Sequence, residues 1–152
     1  MKFKIFPFLD GLQRTFRGMA GVTLENPKIG EYNEPEFFSD YTCSIGLIGI
    51  ERASLILTLS EKVATEITSM ITGKVLSGGE KIITDTIGEL LNMAVGVAQK
   101  LSGEKFDFSL PVSVKGKSHQ INVIKDKRTF RAIFLLNGEE ICLYLTNSQI
   151  ME

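Results

Sequence analysis

The spacing of hydrophobic positions changes several times along this chain, and each change marks an element. From Pro7 to Ala20 apolar residues recur at Phe8, Leu9, Leu12, Phe16 and Met19. That spacing of three to four predicts an amphipathic helix opened by a proline, with Gly18 and Gly21 to end it. Residues 22–40 carry Pro27, Gly30, Pro35 and several acids and read as an irregular or short-strand connection. Tyr41–Ile48 and Ala53–Leu59 are β-rich runs joined near Gly49, Ile50 and Glu51, which predicts a hairpin. Ser60 is placed to cap a second helix with an apolar side of Val63, Ala64, Ile67, Met70 and Ile71, stopping at Gly73. Ser77 and Glu80 have the spacing of a capping box for a third helix, which runs to about Ser102 and ends at Gly103. Beyond it, "FSLPVSVKG", "HQINVIK", "TFRAIFLL" and "EEICLYLT" predict an antiparallel tail of four strands, with Asn137-Gly138 as the last hairpin turn.

Runs of strands set apart from runs of helices define an α+β class, because a parallel sheet would need alternating βαβ units. A faint duplication is visible, a helix followed by strands occurring twice. With 152 residues and 43% hydrophobic content, residues 1–152 read as a single domain with room for a real core. Lys plus Arg number 17 against 18 for Asp plus Glu, and the basic residues are scattered, so no strip exists to follow a nucleic-acid backbone. Pro7 and Asp10 interrupt the start before a signal segment could form, and no apolar run is long enough to cross a bilayer. Cys43 and Cys142 sit in strand-like apolar runs and read as core residues of a reduced compartment. A cytoplasmic protein without nucleic-acid or membrane partners is the expectation.

The third helix poses the chemical question. Turned by 100° per residue, it gathers Ile83, Ile87, Leu90, Leu91, Ala94, Val97, Ala98 and Leu101 on one broad apolar arc. The narrow remaining arc holds Asp85, Gly88, Glu89, Asn92, Gly96 and Gln99. A merely solvated stripe would be filled with good helix formers, whereas each interior glycine costs about 1 kcal/mol relative to alanine. One account is access: Gly88 and Gly96 lower the surface so that a partner can reach Glu89 and Asn92. The other is packing of the glycines against a neighbouring element. Asp85 belongs to the stripe, though an acid there also complements the helix dipole.

Other hydrolytic chemistries lack their parts. His119 is the sole histidine and lies in the turn-like "KGKSHQ" with no G-x-S-x-G elbow, so it reads as an exposed turn residue. The two cysteines have no company for a zinc site, and "SGGEK" lacks the phosphate-loop arrangement and reads as a turn. Asp10 and Gln13 repeat the i, i+3 spacing on the first helix and read as a solvated face.

The pattern D85-x-x-x-E89-x-x-N92 followed by "MAVGVAQKL" resembles the signature helix of the CheC, CheX and FliY chemotaxis phosphatases. The likeness extends to "FPFLDGLQRTFRGMAG", "SIGLIG", "ASLILTLSEKVATEITSMITG" and "LPVSVKG". The absence of E-x-x-N from the first helix matches the single-site CheX layout. The resemblance implies a CheC-like fold and hydrolysis of the aspartyl phosphate on a CheY-like response-regulator receiver. Asn92 would hold an in-line water and Glu89 would pair with a receiver lysine, with Asp85, Gly88 and Gly96 at the partner contact. It further implies a homodimer paired through its sheets, no cofactor or metal on this chain, and Mg2+ on the receiver. The rival expectation is a non-catalytic receiver-binding or flagellar-switch adaptor that docks through the same helix.

Overall fold

The computed structural model describes residues 3–34, 36, 37, 39–116, 119, 120 and 128–149. Its elements in chain order are β1 (Phe3–Lys4), α1 (Phe6–Ala20), β2 (Lys28–Glu31), β3 (Glu36–Phe37), β4 (Tyr41–Ile48), β5 (Arg52–Leu59), α2 (Glu61–Thr72), α3 (Lys81–Ser102), β6 (Asp107–Phe108), β7 (Val112–Lys115), β8 (His119–Gln120), β9 (Thr129–Leu136), β10 (Glu139–Thr146) and β11 (Ser148–Gln149). The class is α+β, built on an antiparallel sheet in the order β2-β9-β10-β5-β4, with β6 and β7 both pairing with β4 at the far edge.

Strand alternation divides the sheet into two faces. Cross-strand rows such as Cys43–Leu57–Leu143–Ala132 and Ile45–Leu55–Leu145–Phe130 are buried in the same cluster as the apolar sides of the three helices. The intervening rows carry Thr42, Thr58, Cys142, Ser44, Ile56 and Tyr144 on the opposite face, where Ile56, Cys142 and Tyr144 form a small second cluster with Tyr32 and Ile133. The duplication has a spatial counterpart: hairpins β4–β5 and β9–β10 lie side by side through the β5–β10 pairing.

Local chemistry sets the element ends. Gly21, Gly73 and Gly103 take left-handed φ values of 67°, 70° and 67° at the helix C-caps, where a side chain would be strained. Ser60 Oγ accepts from Val63 N at 3.3 Å, the N-cap its position predicts. Asn137 and Gly138, with φ of 52° and 80°, supply the paired positive angles of a tight hairpin turn.

Three expectations change. The α3 capping box is one-sided: the N-cap is Glu80, which makes no side-chain cap bond, and its carboxylate instead accepts from Ser77 N at 3.1 Å. Gly78 and Gly79, at φ 107° and 81°, turn the chain between them and displace Ser77 from the cap. The tail strands do not form one contiguous unit, because β7 pairs with β4 while β9 and β10 lie beyond β5. Most of the "HQINVIK" strand lies outside the described residues. The backbone of His119 pairs with Phe37 in a short ladder rather than lying in a turn.

Helix α1 lies across α3 at a point of close approach. A Cβ on Gly11 would run into the carbonyl oxygen of Ala94 and lie 3.2 Å from Ala98 N, so the crossing requires a residue without a side chain. Gly11 was not distinguished by the hydrophobic pattern, which marks a face but not the distance to the element packed on it.

Candidate functional site

The buried side of α3 consists of Ile83, Thr86, Ile87, Gly88, Leu90, Leu91, Ala94, Val95 and Ala98. The arc expected from periodicity is therefore turned slightly. Val97 is half-buried and Leu101 is 40% exposed, whereas Gly88 and Val95 have joined the core side. The reason at Gly88 is a flanking element: an added Cβ would stand 3.2 Å from Ser113 Oγ and 3.4 Å from Pro111 Cγ. Strand β7 thus lies against α3 over this glycine, and the close approach it permits is with the chain's own strand. Gly96 differs. It is half-buried, and an added Cβ would meet nothing within 4 Å.

The outward ridge carries Lys81, Asp85, Glu89 and Lys100 exposed, Asn92 half-buried and Met93 43% exposed. Its polar members have different commitments. Asp85 forms an i, i+4 ion pair with Lys81 at 3.4 Å, an exposed contact of little energetic weight. Gln99 donates through Nε2 to Phe106 O at 2.5 Å. Among the described residues, neither the Glu89 carboxylate nor the Asn92 amide has a hydrogen-bond or ion-pair partner. A carboxylate and an amide three residues apart on a helix point the same way, so this pair is available to an external group. On α1, by contrast, Gln13 donates through Nε2 to Leu24 O at 2.8 Å, so its amide is engaged by the chain's own backbone instead of standing on a solvated face.

The segment after α3 builds the wall beside this ridge. It is pinned at Phe106 by Gln99, and at Ser109 by two bonds to the edge of β4: Ser109 N donates to Gly46 O at 2.9 Å and Gly46 N donates to Ser109 Oγ at 2.8 Å. It then reaches Pro111 and Ser113 over Gly88. Thr84, Asp85, Gly88, Pro111 and Ser113 line a pocket of about 240 Å³ there. Across from Ser113 on β4, the Cys43 thiol, hydrogen-bonded by Ser113, is pushed by burial from 9.0 up to about 11. It is therefore a neutral core group and not a nucleophile. No group of three or more His, Cys, Asp or Glu with metal-binding geometry occurs among the described residues. Among the described residues no helix is long and apolar enough to cross a membrane.

An α+β domain that turns a free carboxylate and a free amide outward from one central helix is the class of protein these features define. The family model described as chemotaxis phosphatase CheX matches residues 41–135, and the chain belongs to that family. A CheC-like superfamily protein from Shewanella sp. PV-4 superposes with a TM-score of 0.85 at 29% identity, covering 93% of this chain and 95% of the other. The chemotaxis protein CheX of Vibrio vulnificus gives 0.81 at 29% identity, with coverage of 93% and 97%. The fold is thus CheC-like. The Borrelia burgdorferi protein in a CheX-CheY-BeF3-Mg2+ complex shares the fold at a TM-score of 0.78 and 20% identity, over 98% of this chain and 100% of that one. No protein of curated function matches the sequence significantly.

Proposed function

We propose that this chain hydrolyses the aspartyl phosphate of a CheY-like receiver in trans, with Asn92 as the water-positioning residue and Glu89 as the charged docking contact. The observation that carries this reading is the pair itself: both side chains stand on the outward ridge of a 22-residue helix, and neither has a partner among the described residues. Membership in a chemotaxis phosphatase family supports the substrate class.

Phosphoryl transfer proceeds through a loose transition state in most analyses, so positioning and charge stabilisation carry most of the catalysis. The Asn92 side-chain oxygen accepts a hydrogen bond from a water and holds its oxygen in line with the scissile bond. As that oxygen bonds to phosphorus, the bond from phosphorus to the aspartyl oxygen breaks, leaving inorganic phosphate and a free carboxylate. An amide suits the task because it orients water without titrating. Glu89 pairs with a receiver lysine and fixes the register of the two proteins. In this reading Mg2+ belongs to the receiver, where it neutralises charge on the phosphoryl oxygens. The protein works in the cytoplasm, as a homodimer.

The test is phosphate loss from a labelled receiver with wild type and Asn92→Ala side by side. The expected result is a drop of at least about a hundredfold in the acceleration, in the range of losing a positioned catalytic group, with the melting temperature unchanged. An unchanged rate would leave the docking role of the helix standing and favour the adaptor reading.

A further inference from the structure

We infer that Met93 and Leu110 are the apolar contacts that seat the receiver over the Glu89–Asn92 pair, one from the helix and one from the segment beside it. This rests on the receiver reading above and extends it to the residues that set affinity.

Met93 is 43% exposed and Leu110 is 84% exposed. Single exposed apolar side chains are ordinary on a soluble protein, and Ile50 and Val75 are of that kind, standing alone in the connections between elements. The two singled out differ in where they stand. Met93 follows Asn92 directly and lies one turn from Glu89, a spacing that makes it the neighbour of the carboxylate on the ridge. Leu110 precedes the Pro111 that packs on Gly88, in a stretch whose earlier part is bonded to Gln99 and to β4. That stretch meets α3 at Gln99 through Phe106 and again at Gly88 through Pro111, one turn before Asn92. The polar pair therefore has Met93 beside it on the helix, and the segment that carries the exposed Leu110 meets the helix one turn away, at Gly88.

The chemistry of the pair requires such neighbours. An exposed ion pair such as Glu89 would make with a lysine raises affinity by about fivefold at most, too little to hold two proteins in register. Flexible apolar side chains around a polar centre supply the missing affinity, and Met adapts to an irregular partner surface. The occupant is then a receiver whose phosphorylated pocket has a rim with apolar character.

The test compares wild type with Met93→Gln and Leu110→Ser, changes at exposed positions that keep the local backbone preference. Titration against a CheY receiver loaded with Mg2+ and beryllofluoride gives Kd, and turnover of the phosphorylated receiver gives KM and kcat. Each variant is expected to weaken Kd and raise KM by about tenfold, as for partial burial of one apolar side chain, the loss falling on KM and not on kcat. Values of Kd within twofold of wild type for both variants would overturn the inference, as would a loss confined to kcat. Wild type that binds without hydrolysing removes the catalytic reading alone, and the Kd comparison still decides the docking contacts. Wild type that does not bind overturns both.

Discussion

Replacing Gly96 by alanine separates the two uses a protein can have for a glycine inside a helix. Gly96 is in the interior of α3, and a Cβ built on it meets nothing within 4 Å. The substitution therefore adds no clash and recovers the propensity difference, about 1 kcal/mol in favour of alanine. For a chain of this size that corresponds to a melting temperature raised by roughly 2–4 °C, readable by calorimetry or circular dichroism. If the glycine is instead kept so that a receiver can come close to Asn92 and Met93, the same methyl group occupies the interface, and KM for the phosphorylated receiver rises severalfold while the fold gains stability. A melting temperature that fails to rise would refute the claim that the position is open. A stabilised protein with unaltered KM would refute the claim that the glycine serves the partner.

Gly11→Ala is expected to have the opposite effect on stability. Its Cβ would collide with the Ala94 carbonyl oxygen and crowd Ala98 N, both backbone atoms that no rotamer change can move, so α1 must shift away from α3. Urea unfolding should show a loss of about 1–3 kcal/mol, the usual cost of overpacking. The Cys43 thiol gives a pH signature. Burial raises it from 9.0 to about 11 in the folded protein, so between these values the unfolded chain has released a proton that the folded chain retains. Its stabilising contribution is complete below pH 9 and falls by roughly 2–3 kcal/mol as pH rises through 11. Burial pushes Cys142 and Tyr144 upward as well, so the slope is steepened by all three. Denaturation at pH 8 and pH 10.5 should show a smaller decline for Cys43→Ala than for wild type, and equal declines would exclude this origin.

Much of this fold is legible from local pattern. The helices, their glycine stops, the Ser60 cap and the two long hairpins are each specified within a window of about a dozen residues. What sequence could not supply are relations across distance. Nothing in "FK" and "SQ" announces that β1 and β11 pair in parallel, and nothing around Gly11 announces the Ala94 backbone above it. At the site, the E-x-x-N spacing identified the outward pair, but periodicity alone could not tell that β7 would lie over Gly88. Two glycines with the same local appearance thus have different causes, one set by an internal strand and the other facing open space. Met93 was legible in principle, since an apolar residue directly after Asn92 already lies outside the arc that holds the core positions. Leu110 was not, because the course of the segment that carries it depends on bonds from Phe106 to Gln99 and from Ser109 to Gly46.

The meeting of β7 with α3 over Gly88 also has an evolutionary meaning. Because Pro111 and Ser113 form one side of the pocket whose other side is Thr84, Asp85 and Gly88 of α3, drift in that short strand can reshape the pocket while Glu89 and Asn92 of the helix stay untouched. The shape of the pocket and the outward pair thus reside on separate segments of the chain and are free to diverge at separate rates.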